Sequence, residues 1–203
     1  MLTLKRCLKK NLAEAIHEAR TKHPGKRIDV YFQDEARFGL IGTLSRVWAE
    51  RGSRPFRYRQ TRYEWVYVFG CVCPETADVH ACLMPLVNTE VMNLYLENFS
   101  EHMAKDVHAV LVLDCAGWHC AKGLCVPENM TLLHLPAYSP ELNPMELPWR
   151  EMRQKKLSNR IITDVADLDD AVSKAWLEIT SSREAIRNLC LFPWIASVVH
   201  KSN

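Results

Sequence analysis

Ala109-Val110-Leu111-Val112-Leu113-Asp114 is the stretch that decides the fold. Five consecutive apolar residues read as a strand covered on both faces, the kind that lies at the centre of a sheet among parallel neighbours. The run ends on a carboxylate, so an acid is delivered at the end of a central strand. Residues 28–34 (IDVYFQD) form a second β-rich run, and it too ends in acids, Asp34 and Glu35.

Between these runs the pattern predicts further strands at residues 46–49 and 63–72, joined by the basic, Pro- and Gly-containing segment 50–62. A strand at 78–86 follows, and together these early strands suggest an antiparallel meander. Asn88 is placed as a helix N-cap, with Val91, Leu94, Tyr95 and Phe99 behind it at helical spacing. Downstream, residues 131–135 read as a short strand. Pro136, Ser139-Pro140 and Asn143-Pro144 then break the chain before a helix over 145–160 with Glu146 in its first turn. Asp164 caps a last helix whose face carries Leu168, Val172, Ala175, Trp176 and Ile179. Upstream, Leu4, Leu8, Leu12 and Ile16 predict a helix from residue 2 to about 23, ended by Pro24-Gly25. Early strands followed by alternating helix and strand imply an α/β fold: a mixed sheet of about five strands, the first three antiparallel, flanked by helices.

A length of 203 residues with 48% hydrophobic content supports one core-forming domain and excludes a disordered tail protein. Its expected parts are an N-terminal helix and linker (1–27), a main domain (28–160) and a C-terminal helical extension (161–203). The net charge of +2, from 26 basic and 24 acidic residues, is too small to indicate a polyanionic partner by itself. No apolar run approaches the roughly 18 residues of a membrane helix, so no membrane partner and a cytoplasmic location are expected. Eight cysteines in a chain with an adequate core read as buried reduced thiols, since Cys115, Cys120 and Cys125 match no common zinc spacing.

Asp34, Asp114 and Glu146 each fall where a regular element meets a loop, positions that converge readily at one edge of a sheet. Clustered carboxylates repel one another unless a cation neutralises them, and hard cations such as Mg²⁺ or Mn²⁺ prefer oxygen ligands. Two such ions can activate water and stabilise the leaving oxygen in phosphodiester cleavage.

The neighbours of these acids make the case specific. FQDEARFG (32–39), RVWAERGSRP (46–55), VLDCAGWH (112–119) and LPAYSPELNPME (135–146) resemble, in the same order, the catalytic domain of bacterial insertion-sequence transposases related to the Tc/mariner superfamily, the DDE endonucleases. The resemblance runs from about residue 28 to 160, with a weaker extension through the C-terminal helix. It implies a ribonuclease-H-like fold in which Asp34, Asp114 and Glu146 hold two Mg²⁺ or Mn²⁺ ions for hydrolysis and strand transfer at transposon ends. The implied partners are double-stranded DNA, both transposon ends and target, a second copy in a homodimer, and a separate helix-turn-helix polypeptide, because such relatives carry an upstream recognition module. Nucleoid association would follow.

Two residues depart from the family pattern. Cys115 stands where Asn is usual, and Pro148 interrupts the segment after Glu146. A thiol is a poorer hydrogen-bond partner than an amide, which weakens one means of orienting Asp114. Glu35 would point to the opposite face of its strand from Asp34 and reads as a hydrogen-bond or ion-pair residue near the site rather than a ligand. His119 has two open readings, a phosphate or water contact and a structural hydrogen bond beside Trp118. Arg37 reads as an ion pair or a DNA contact. Arg51, Arg54, Arg57 and Arg59 in one loop, and Arg150, Arg153, Lys155 and Lys156 on one helix, are candidate phosphate contacts, with Phe56, Tyr58 and Tyr63 able to stack on unpaired bases. Two rival functions stand beside transposition: a catalytically silent DNA-binding or dimerisation partner, including a decayed fragment, and a host nuclease or resolvase of the same fold.

Overall fold

The computed structural model describes residues 2–41, 48–53, 56 and 61–200. The central strand falls where the apolar run places it. It is β4 (Val107–Leu113), buried at every position. Strand β1 (Arg27–Gly39) pairs with it in parallel from Arg27↔Val107 to Phe32↔Val112, and β5 (Met130–His134) pairs in parallel on its other side. On the far side of β1 lie β2 (Trp65–Cys73) and β3 (Asp78–Met84), each antiparallel to its neighbour. The sheet order is β3-β2-β1-β4-β5, a mixed five-stranded sheet whose first three strands form the antiparallel meander.

Strand alternation divides the core in two. Val30, Phe32, Ala36 and Phe38 of β1, with Val110 and Val112 of β4, face one layer. That layer holds Leu8, Leu12 and Ile16 of α1 (Leu2–Lys22), Trp149 of α3 (Glu146–Glu151), Leu168 and Val172 of α4 (Val165–Thr180), Ile186 of α5 (Arg183–Cys190), and Trp194 and Ile195 of α6 (Pro193–Val199). Tyr31 of β1, with Ala109, Leu111 and Leu113 of β4, packs on the other face against Met92, Tyr95, Leu96 and Phe99 of α2 (Thr89–His102). Asn88 caps α2 by accepting from the Val91 N–H at 2.8 Å, and Asp164 caps α4 by accepting from the Asp167 N–H at 2.9 Å, as the sequence predicts.

Four expectations need correction. The cysteines are free but not all buried: Cys71, Cys73 and Cys190 are, whereas Cys7, Cys115, Cys120 and Cys125 are exposed. Asp34 is not at a strand end, because β1 continues to Gly39: residues 35–39 find partners in β2, from Glu35↔Phe69 to Gly39↔Trp65, after the parallel neighbour β4 has stopped. The expected strand at 46–49 is not formed where it is described: Trp48 and Ala49 are outside any strand, and the Trp48 ring is wholly exposed. Arg46 and Val47 lie outside the described residues. The helix expected over 145–160 is α3 followed at once by a π-helical turn, Met152–Lys156, where the Leu157 N–H reaches back five residues to Met152 O.

Candidate active site

Beyond Phe32 and Val112 the parallel strands part. Asp34 then stands on β1 with β2 as its remaining neighbour, Asp114 follows β4 directly, and Glu146 opens α3 on the same face of the sheet. All three line one cavity of about 360 Å³, whose other wall is the proline-rich segment from Leu135 to Asn143. The sequence-predicted acids are therefore brought together.

Each acid is held differently. Asp34 Oδ2 accepts from the Trp149 indole N–H at 3.0 Å. Burial first, and then the charges of Glu146, Glu35 and Asp114, push its carboxyl well above the usual range. Asp114 Oδ1 accepts from the Ala116 N–H at 2.9 Å and lies 2.7 Å from His119 Nδ1; chiefly through that histidine its pKa is lowered. The other imidazole nitrogen, Nε2, is 2.9 Å from Glu35 Oε1, so His119, only 2% exposed, bridges two carboxylates. Burial disfavours the imidazolium, but the hydrogen bonds and charges of Asp114 and Glu35 together outweigh it and raise His119 to about 9. Glu35 points away from Asp34, as strand alternation requires: its Oε1 also accepts from the side chains of Gln33 at 3.0 Å and Trp118 at 3.2 Å. Both the hydrogen-bond and ion-pair reading of Glu35 and the structural reading of His119 thus have direct partners.

Cys115 lines the cavity and contacts Leu135 O at 3.5 Å. The hydrogen bonds that orient Asp114 come instead from Ala116 and His119. Pro148 sits inside the first turn of α3, where a proline costs little.

The donor set is one that a hard divalent cation takes, three carboxylates around a shared cavity, and both the burial that chiefly raises Asp34 and the repulsion that adds to it are opposed by a bound cation. As the side chains stand, no group of three histidine, cysteine, aspartate or glutamate side chains among the described residues closes around a point that holds an ion.

Residues 29–169 match the family described as DDE superfamily endonuclease. The chain belongs to that family. Asp34, Asp114 and Glu146 all fall within the matched span of the endonuclease domain. A relative from Sinorhizobium fredii, the uncharacterized protein y4pE/y4sA, is 40% identical over 130 residues, covering 64% of this chain and 96% of that protein. Among solved structures the fold is similar to the Mos1 transposase paired-end complex with left transposon end, at a TM-score of 0.65 and 17% identity over 94% of this chain and 61% of that one. The mariner Mos1 paired-end complexes with Mn and with Mg both give TM-scores of 0.59 at 15% identity, covering 96% and 100% of this chain and 62% and 63% of theirs. This DDE endonuclease chain thus spans a little over three fifths of the Mos1 chains and shares their ribonuclease-H-like sheet.

The predicted DNA contacts divide. Arg54, Arg57 and Arg59 lie outside the described residues, while Arg51 is exposed. On the helix, Lys155 pairs with Glu151, and Lys156 with Glu178 at 2.6 Å. The Arg153 guanidinium lies 5.2 Å over the Phe38 ring, and Arg150 is exposed. Arg37 stacks on Trp65 at 5.2 Å rather than meeting an acid. Sequence reasoning missed Trp149 and Asn143. Asn143, 4% exposed, donates to Gln33 O at 2.9 Å and accepts from the Met145 N–H at 3.1 Å, tying the segment before Glu146 to β1 beside Asp34. The available signal was an amide inside the motif, flanked by prolines that leave few other local donors.

Proposed function

We propose that this chain is the catalytic domain of a DNA transposase that hydrolyses and joins phosphodiester bonds at transposon ends. The observation that carries the reading is the cavity shared by Asp34, Asp114 and Glu146 in a member of the DDE superfamily endonucleases. These three residues would hold Mg²⁺ or Mn²⁺, two ions in all; the Mos1 relatives with Mn and with Mg support that choice. When bound, the metal supplies charge neutralisation and Lewis-acid activation of water and of the leaving oxygen.

The chain's own residues do the rest. Trp149 holds one oxygen of Asp34, His119 and Ala116 hold one oxygen of Asp114, and the Asn143 bonds fix the start of α3 and with it Glu146. Such fixed orientation lets the acids act without reorganising when charge develops on the phosphate. Arg51, Arg54, Arg57, Arg59, Arg150, Arg153, Lys155 and Lys156 are the candidate contacts to the DNA backbone, and a homodimer acting with a separate helix-turn-helix polypeptide completes the proposed assembly. A second reading, a catalytically silent partner of a full-length transposase, draws on Cys115 beside Asp114.

The test is nicking of supercoiled plasmid by the purified protein in Mn²⁺, with and without excess EDTA. Nicking that EDTA abolishes supports the enzyme, and absence of nicking supports the silent partner.

A further inference from the structure

The segment forming the second wall of the cavity, Leu135-Pro136-Ala137-Tyr138-Ser139-Pro140, contains a feature that the proposed chemistry does not use. Tyr138 adopts φ +56°, a left-handed conformation that is uncommon for a bulky residue, and its side chain is fully exposed. Its neighbours fix the turn. Ser139 is buried and donates to Ala137 O, and Pro140 opens the short 3₁₀ turn Pro140–Leu142. The fold thus holds a large aromatic ring in solvent, on the rim of the acidic cavity, at a backbone cost that Asn or Gly would largely avoid.

We propose that Tyr138 is a stacking platform for an unpaired DNA base next to the phosphodiester held by Asp34, Asp114 and Glu146. This rests on the proposed nuclease function and names how the same site takes its substrate. A cavity of about 360 Å³ is far smaller than a duplex, so a strand that reaches the three acids must leave the helix locally. Unstacking a base costs free energy, and an aromatic face at the cavity rim recovers part of it without reading sequence. The apolar wall beside it, Leu135, Pro136, Ala137 and Pro140, suits a sugar and a base edge better than it suits free phosphate.

The experiment measures binding of a fluorescein-labelled single-stranded 20-mer and of the matching blunt duplex by wild type, Tyr138→Asn and Tyr138→Phe. Quenching of 2-aminopurine at the unpaired positions of a forked duplex and the melting temperature are recorded for each. Loss of one stacked base predicts single-strand binding weaker by roughly 5- to 100-fold in Tyr138→Asn, with loss of quenching. Tyr138→Phe should retain both and melt within about 2 °C of wild type, duplex binding should be nearly unchanged, and Tyr138→Asn, relieved of the left-handed strain, should melt no lower than wild type. Equal single-strand binding by wild type and Tyr138→Asn overturns the proposal, as does no binding by wild type, or a loss that Tyr138→Phe shares or that follows a lower melting temperature. Plasmid nicking distinguishes the two levels: a wild type that nicks while Tyr138 variants bind normally removes only this inference, whereas a wild type that never nicks removes the nuclease reading.

Discussion

The Trp149 indole donates a 3.0 Å hydrogen bond to Asp34 Oδ2, and it can do so because Gly70 leaves room for it. Gly70 is the β2 partner of Asp34, and a Cβ there would stand 2.7 Å from Trp149 Cη2 and 2.9 Å from Met145 Cε. Trp149 is 1% exposed and also packs on Trp176 with ring centroids 5.5 Å apart, so it has little freedom to move aside. Gly70→Ala should therefore destabilise by about 1–3 kcal/mol through overpacking, read as a lower urea midpoint. It should also lower nicking of the folded fraction by displacing the indole from Asp34. An unchanged midpoint would mean that the ring yields at no cost.

Trp149→Phe separates orientation from packing. Phenylalanine keeps most of the ring volume but cannot donate to Asp34. Nicking should fall about tenfold at saturating Mn²⁺, the size expected for about 1.4 kcal/mol of lost orientation. A melting temperature that falls steeply while the rate per folded molecule is kept would assign Trp149 to packing alone.

His119 joins two carboxylates, Glu35 on β1 and Asp114 just past the end of β4, and His119→Asn cannot span both. Removing it deletes one hydrogen bond to the nearly buried Glu35 carboxylate and one to the half-exposed Asp114, a loss of about 1–3 kcal/mol in unfolding free energy. Glu35→Gln should cost less, because its amide can still accept from Trp118 and Gln33. Urea unfolding that ranks the two variants the other way would contradict the bridging role.

Acid sensitivity should arise at the opposite end of β4. His108 is 1% exposed, lies 2.9 Å from Thr131 Oγ1 through Nε2, and stacks on His23 at 3.8 Å, with no hydrogen-bond partner for its Nδ1 among the described residues. Burial first, then the charges of His23 and Lys26, lower its pKa to about 4. The unfolded chain protonates near 6.5 and the folded one does not, so the neutral histidine's contribution is complete above pH 6.5 and declines as pH falls towards 4, by up to about 1.4 kcal/mol per pH unit. Comparing urea midpoints of wild type and His108→Asn at pH 7 and pH 5 checks this: the wild type should lose more. Parallel losses would show that His108 titrates alike in both states.

The parts of the fold set by periodicity were legible in the sequence. The apolar run of β4, the amphipathic faces of α1, α2 and α4, and the caps at Asn88 and Asp164 are local patterns, and the structure has each of them. Asp34 was legible as a functional candidate but not as a mid-strand residue. Glu35-Ala36-Arg37 has weak β-propensity and is held extended by β2, a partner some thirty residues away. The same limit hid the contacts of Trp149 and Asn143 with β1, which span more than a hundred residues. For Arg153 only the charge is legible locally, and the three-dimensional arrangement places its guanidinium on Phe38.

Asp34, Asp114 and Glu146 are proposed to act together as a metal-dependent nuclease site. Initial rates of supercoiled-plasmid nicking in Mn²⁺ for wild type, Asp34→Asn, Asp114→Asn and Glu146→Gln test it most directly, with circular dichroism confirming that each variant is folded. Each single change should lower the rate at least about a hundredfold, a loss of about 2.7 kcal/mol or more of transition-state stabilisation. A folded variant that nicks as fast as wild type would contradict it.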